Sequence, residues 1–584
     1  MIVNVIHRPG KGRLQEMFRL QQNMAHHLGL KVTILVPYDF LFEPQVVADI
    51  QDDHNRYGDE VGVWFGEIAN ERMNEVFPCR EPFLWIHSKE HKELIIKTVI
   101  EKFMEVFGYC PKAVGAYHVD AYSMKLFKEL YPDIKVSIAG CFEEGVKVFH
   151  GCNHSWYLFN EGMPWGPWYP AKENTLRPAE NDEEWAGIVA VPHLSRDLVL
   201  SYEGRNDFFA THPANVQRAM ANEGAEIPYV FNLLDVYRMQ EKYNHGFSYT
   251  NVFVGPNWLS QSPYVQDSDE VTQSLYREFL EYFAQLKAEG KLQDMYMSEF
   301  ADWFRTHVPV GTPQIYRAKE ILYGSGKDYF WYSDPLMRVT VDTCQGGSIG
   351  DLRPLIAKQP RCTGADQPEK AIGTNPYLIH SQYRTGNAHH YEDGARTTLL
   401  VMHKGETLDL AEFPTKIAGI ERDAQKVVLS LKPVELVFQN GLKVVLSTRY
   451  TFTREASIEI SRKLESVSQE GAEVEFTEYY KGCWGVNEYP QDMSEITLLA
   501  EGDTSKTISF DYLAKSAQVN LPRKVEATIP PLKTAVALLP VQGKFTKALV
   551  REGYVFNPYY TLTLTGTLAQ GEEVVTCLTL RKVH

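Results

Sequence analysis

At 584 residues, with 44% hydrophobic and 23% charged side chains, the chain has material for two or three globular cores, and no apolar run approaches the ~20 residues of a membrane-spanning helix. Its formal charge of −16 would repel a phosphate backbone or an anionic lipid surface, which argues against nucleic acid and membranes as partners. Eight cysteines without a CxxC pair give no zinc ribbon and no compact disulfide frame, and fit free thiols in a reducing compartment.

In chain order, IVNVIHRPG opens on a strand at residue 2. Arg8 and Lys11 follow its short apolar run, and no small-residue cleavage site appears, so the opening reads as the first βα unit of a cytoplasmic enzyme and not as a signal peptide. A second strand, KVTILVP, comes one helix later. After the helical PQVVADIQDDHNRYG a third strand, DEVGVWFGE, ends in Trp64 and Glu67. The helix KEHKELIIKTVIEKFMEVFG leads into KAVGAYHVD, and the helix SMKLFKELY into KVSIAG. This βαβα rhythm implies a mostly parallel sheet. A Trp-, Pro- and Gly-rich insertion interrupts it near 141–185. IVAVPH, IPYVFNLLD, TNVFVGPNW and QDMYMSEF are expected as later strands, with the amphipathic helix SLYREFLEYFAQLKAEGK ending at Gly290. Beyond Trp331 short alternating segments such as MRVTVDT, KVVLSLK and LKVVLSTRYTF, with turn signals such as QNG, predict an antiparallel β-sandwich. The expected domains are 1–332 and 333–584.

Polar and aromatic side chains stand at nearly every expected strand end, which is where α/β barrels keep their chemistry. His7 and Arg8 follow the first strand, Trp64 and Glu67 the third, His193 follows IVAVP, and Asn257 and Trp258 follow NVFVGP. Each taken singly is an ordinary turn residue or a satisfied histidine, and Arg8 would meet either a substrate carboxylate or Glu67. Asp120, with His118 two residues before it, is placed to attack an anomeric carbon, or equally to cap the following helix. Glu299, beside Asp302 and Trp303, is placed to protonate a leaving oxygen, or to join a capping box. Glu144, paired with Glu143, is a reserve carboxylate or a solvated loop residue. Trp165 and Trp168, with Trp156 and Tyr169, offer faces for sugar stacking, or pack the insertion on the barrel. His118, His150 and His154 match no metal-ligand spacing, so neither metal nor cofactor is expected. GxSxG and P-loop motifs are absent, and no GxGxxG follows the first strand.

The order GLKVTILV, YGDEVGVWFGE and GYCPKAVGAYHVDAYSMKLFKELYPDIKVSIAG resembles the barrel of the polysaccharide deacetylase (NodB-like) superfamily over about the first 140 residues. The metal-binding Asp and His pairs of that family are missing, since the first strand ends in HRPG and the third in VWFGE. The resemblance extends to glycoside hydrolases of families 57 and 38, and His7-Arg8-Pro9 is similar to the His-Gln-Pro element of family 57. It implies a distorted (β/α)7-type barrel followed by an antiparallel β-sandwich, with Asp120 near the position of the nucleophile and Glu299 near that of the acid. The expected activity is carbohydrate hydrolysis by two carboxylates. A sugar deacetylase with a rebuilt site and a non-catalytic glycan-binding protein are the alternatives. The expected partner is a carbohydrate, and assembly into a homo-oligomer is left open.

Overall fold

The computed structural model describes residues 1–140, 166–199, 228–260, 269–360, 376–380, 395–485, 492–554 and 558–583. The chain divides into two compact units. The first holds Met1–Thr312 and Ile321–Tyr323; the second holds Pro313–Glu320, Gly324–Lys358 and the described residues from 376 onward.

The first unit runs β1 (Ile2–His7), α1 (Arg13–His27), β2 (Val32–Pro37), a 3-10 turn (Tyr38–Phe42), α2 (Pro44–Tyr57), β3 (Glu60–Trp64), the single turn α3 (Glu71–Asn74), α4 (Lys89–Phe107), β4 (Ala113–Gly115), α5 (Ala121–Leu130) and β5 (Val136–Gly140). It continues through β6 (Pro170–Ala171), β7 (Asn174–Pro178), β8 (Val189–Pro192), α6 (Pro228–Met239), β9 (Tyr249–Val254), α7 (Asp269–Ala288), β10 (Gln293–Asp294) and α8 (Met297–His307). Local chemistry sets the helix limits. Pro44 opens α2 where a missing N–H costs nothing, Ser88 caps α4 by accepting from the His91 N–H, and Gly58 and Gly108 end these two helices at φ 80°.

Eight strands form one curled parallel sheet in the order β10-β1-β2-β3-β4-β5-β8, with β9 on the other side of β1. Strands β1, β2 and β9 are buried at every position, which explains why they read as unbroken apolar runs. Between β8 and β9, Asn251 Nδ2 donates to the Pro192 carbonyl at 2.7 Å. Inside the curl, Ile2 and Ile6 of β1 join Leu35, Trp64, Val136, Ile138, Val189, Val191 and Phe253 in one core, and Phe300 and Phe304 of α8 belong to it.

Two expected strands are helices. IPYVFNLLD lies in α6, whose buried Tyr229, Leu233 and Tyr237 recur at intervals of four. QDMYMSEF keeps only two strand residues, in β10, before α8 buries Met297, Phe300, Ala301 and Phe304 on one face. In each case a short apolar run satisfied both periods, and helical burial decided it.

In the second unit β11 (Gln314–Lys319), β12 (Asp328–Ser333), β13 (Met337–Asp342), β14 (Ser348–Pro354) and β15 (Ile379–His380) make an antiparallel sheet in that order. Two larger antiparallel sheets of 6 and 10 strands follow, and Leu399, Val474 and Phe476 of one pack with Leu436, Leu446 and Leu464 of the other, as in a sandwich. No helix among the described residues is long and apolar enough to cross a membrane.

Candidate active site at the mouth of the parallel sheet

The mouth is formed where the parallel strands end at their carboxyl termini. Alternation along β1 sorts its last residues: Ile6 faces the interior core, so His7 faces the surrounding helices and Arg8 returns to the inner side. Arg8 Nη1 lies 2.8 Å from each carboxylate oxygen of Glu67. Its guanidinium carbon stands 5.6 Å from the Trp64 ring centre and 5.4 Å from that of Phe253.

Glu67 gathers further donors. Trp64 Nε1 donates to Oε2 at 2.8 Å and the Tyr117 hydroxyl to Oε1 at 3.1 Å. Burial pushes this carboxyl up, but the Arg8 charge and the hydrogen bonds from Arg8, Trp64 and Tyr117 outweigh it and hold the group below the usual carboxylate range. The Glu67 side chain is nonetheless 48% exposed, against 13% for Arg8, so the anion is ringed by protein on one side and open on the other. Behind it Trp64 meets Tyr117 edge-on at 5.1 Å, lies 5.9 Å from His193 and packs at 4.9 Å on Phe253. Two glycines make room for the indole. A Cβ on Gly66 would stand 2.2 Å from Trp64 Nε1, and one on Gly115 3.0 Å from its ring.

The aromatic wall continues from Tyr117 to Phe83 at 5.5 Å, from Phe83 to Trp85 at 4.9 Å, and from Trp85 to His118 at 5.9 Å. His118 Nδ1 is 3.2 Å from the Ala139 carbonyl. Asp120 lies at this deeper end. It caps α5 by accepting from the Ser123 N–H at 3.1 Å, and it takes Lys92 Nζ at 2.8 Å, with both side chains almost wholly buried. Burial works against its ionisation, and the adjacent Lys92 charge prevails, so its carboxyl too is held down. On the opposite side of Arg8, a Cβ on Gly255 would fall 2.7 Å from Arg8 Nη2 and 2.8 Å from Asn257 Oδ1. The 3-10 turn Pro256–Trp258 thus brings an exposed Asn257 and a half-buried Trp258 to the same mouth.

The family model for a domain of unknown function with solved structure, DUF3863, matches residues 14–328. The chain belongs to the DUF3863 family. No curated protein matches it. Among solved structures it is similar to a candidate glycoside hydrolase/deacetylase from Parabacteroides distasonis, at 12% identity over 64% of this chain and 90% of the other, with a TM-score of 0.49. It is also similar to a 4-alpha-glucanotransferase from Thermococcus litoralis, at 11% identity over 100% and 99% of the chains and a TM-score of 0.31. A galactose mutarotase-like protein from Clostridium acetobutylicum matches at 8% identity over 46% and 98%, with a TM-score of 0.30. Scores this low leave the function to be argued from the site itself.

In this DUF3863 protein the mouth brings together Arg8, Trp64, Glu67, His118, Asp120, His193, Asn257 and Trp258. Four expected site residues lie elsewhere. His7 is fully buried between α1 and α7, its Nδ1 bonded to Gln22 Oε1 and its Nε2 to the Tyr276 hydroxyl. Gln22 Nε2 donates to Asp53 at 3.1 Å and Asp59 at 2.8 Å, which makes Oε1 an acceptor and puts the His7 proton on Nδ1. Trp168 is 1% exposed and donates to the Thr175 carbonyl at 2.8 Å, so its ring packs the hairpin and offers no face. Glu299 is no strand-end acid. It stands in the first turn of α8, accepts from the Tyr296 N–H at 3.1 Å and pairs with Lys31, which precedes β2 and therefore marks the amino-terminal rim of the sheet. Asp302 pairs with Lys135, just before β5, at the same rim. Glu144 and Trp165 lie outside the described residues.

Sequence inspection passed over Tyr117, Phe253 and Lys92. Tyr117 stands two residues beyond a strand, the signal that singled out Asp120's neighbourhood, and Lys92 interrupts the apolar stripe of α4. Among the described residues no group of three His, Cys, Asp or Glu side chains is arranged to hold a metal ion.

Proposed function

We propose that this DUF3863 protein is a carbohydrate-active hydrolase that cleaves glycosidic bonds at the sheet mouth, with Glu67 as the ionised carboxylate facing the anomeric carbon. One observation carries this reading: Glu67 accepts from Arg8, Trp64 and Tyr117 and still leaves about half of its side chain open. Glycoside cleavage passes through an oxocarbenium-like state, and a carboxylate kept ionised beside it either attacks that carbon or activates water. Donors that lower the carboxyl's pKa keep it ionised at neutral pH, and a wall of Trp64, Tyr117, His193 and Phe253 lowers the local polarity in which its charge acts. Trp258, half-buried beside Asn257, supplies an aromatic ring for the apolar face of a sugar.

A second reading has its own support. Arg8 Nη1 engages both oxygens of Glu67, an arrangement equally suited to a rigid pair that hydrogen-bonds sugar hydroxyls without turnover. Product analysis on aryl glycosides, oligosaccharides and acetylated sugars, with and without chelator, separates the two. Free sugar that resists chelation and is lost in Glu67→Gln supports the hydrolase. Sugar binding without product supports the glycan-binding protein, and chelator-sensitive acetate release would overturn both.

A further inference from the structure

We infer that Asp39 is the second reacting carboxyl of the mouth, the proton donor that partners Glu67. The inference rests on the hydrolase reading above and supplies what that reading lacks. Strands β2 and β3 are paired in parallel with Pro37 opposite Trp64, so Asp39, two residues past one, and Glu67, three past the other, leave adjacent strands on the same rim. Neighbouring strands run ~4.8 Å apart, so the two segments leave the sheet side by side, and the Glu67 charge acts on Asp39.

Asp120, Glu43 and Asp197, three other carboxyls beyond these strand ends, have partners of their own, Asp197 accepting from the Val199 N–H and the Tyr229 hydroxyl. Asp120 is locked to Lys92 and to the start of α5. Glu43, 41% exposed, pairs with Lys11 at 3.5 Å. Asp39 is half-buried, and among the described residues no other residue donates a hydrogen bond to its carboxyl. The charged groups facing it are Lys11 from the segment after β1, Glu67 after β3, and Glu43 at the start of α2. Burial pushes its carboxyl up, Lys11 opposes this, and the negative charges of Glu67 and Glu43 add to it. Glu67 is held down by its donors. Two carboxyls whose surroundings drive them apart in this way can hold one proton between them at the pH where one must donate and the other must stay ionised.

The step balances without a further reagent. The bond between the anomeric carbon and the glycosidic oxygen breaks, its electron pair stays on that oxygen, and the Asp39 proton converts the oxygen to a neutral alcohol. If a Glu67 ester forms, water delivers hydroxide to the anomeric carbon, the ester bond breaks to release Glu67, and the water proton restores Asp39; in direct displacement Glu67 takes the water proton, and Asp39 regains its own from solvent.

The test compares Asp39→Asn and Glu67→Gln on phenyl and 2,4-dinitrophenyl glycosides of whichever sugar the product analysis identifies. A phenolate that leaves unaided needs no acid. Asp39→Asn should therefore lose about 100-fold or more on the phenyl glycoside, retain most of its rate on the dinitrophenyl glycoside, and lose the alkaline limb of the pH profile. Glu67→Gln should lose both substrates. An equal loss on both substrates by Asp39→Asn, or none, would overturn the assignment while leaving the hydrolase reading intact; wild type that cleaves no glycoside fails the hydrolase reading and the assignment with it. Carboxyl 13C titration gives a check that needs no turnover: Glu67→Gln should lower the Asp39 midpoint, and an unmoved midpoint would refute the pairing.

Discussion

Glu67 and Glu299 each face one cationic nitrogen with both carboxylate oxygens, Arg8 Nη1 at 2.8 and 2.8 Å in the first case and Lys31 Nζ at 3.0 and 2.7 Å in the second. They stand at opposite ends of the same parallel sheet. At the carboxyl-terminal mouth the remaining donors are an indole and a phenol from a buried aromatic wall, and the cation is itself largely buried. At the amino-terminal rim the remaining donor is the Tyr296 backbone N–H, and both partners of the ion pair are about 40% exposed. The ion pair alone therefore does not mark a functional carboxylate. What separates the two is that donors anchored in a rigid core surround Glu67 at an oxygen that solvent still reaches, whereas Glu299 is a helix-end acid.

Glu67→Gln is the sharpest way to break the comparison. It keeps the shape and removes the charge that Arg8, Trp64 and Tyr117 surround, and glycoside hydrolysis should fall on the order of 1,000-fold or more in kcat/KM with the fold intact by circular dichroism. A loss of less than tenfold would move the reacting centre away from Glu67.

The deeper end of the mouth offers the next largest effect. Lys92 and Asp120 are buried together, and Lys92→Met would remove the charge that chiefly opposes the cost of burying the Asp120 carboxylate. Urea unfolding should show a loss of about 3–5 kcal/mol, with part of it regained in the Lys92→Met/Asp120→Asn double variant. If Lys92→Met cost no more than a surface change, the pair would not be buried as described.

These placements also show how much the sequence disclosed. The first three strands were legible because each is an apolar run bounded by turn residues, and β1 and β2 are buried on both faces. Arg8 and Glu67 were legible as strand-end residues. His7 was assigned with them because a strand end shows which residues are near the mouth, whereas the side each one faces depends on parity, fixed here by Ile6 entering the core. Glu299 reads as a mouth residue only if its strand runs on past Asp294, where β10 ends: MYMSEF alternates well enough for a strand, while Met297, Phe300, Ala301 and Phe304 equally fit one face of α8. The pairing of Glu67 with Tyr117, 50 residues away, is set by tertiary packing and carries no local signal.

Behind the mouth, His7 and Arg8 make a comparison within two residues, one titrating and one not. Burial lowers the His7 imidazole to about 4, against 6.5 when exposed, while its hydrogen bond to Gln22 opposes the shift and the nearby His26 adds to it. Between these values the unfolded chain binds more protons than the folded one, so stability from this residue is full above about pH 6.5 and is lost as pH falls toward 4, by at most about 3 kcal/mol. Urea midpoints at pH 7 and pH 5 should differ more in wild type than in His7→Gln. Equal differences would show that His7 is not held neutral by its buried site.

Glu299→Gln should have the smallest effect and completes the contrast with Glu67. The glutamine amide oxygen can still accept from the Tyr296 N–H, so most of the cap survives, while the half-exposed contact to Lys31 contributes little. Thermal or urea unfolding should show a loss of about 0.5–1 kcal/mol at most, and hydrolysis should stay within about twofold of wild type. Because the substitution removes the same charge as Glu67→Gln from the same sheet, equal stability costs with unequal activities would assign the difference to position at the mouth. A large loss of activity in Glu299→Gln would mean that the rim, and not the mouth, holds the reacting acid.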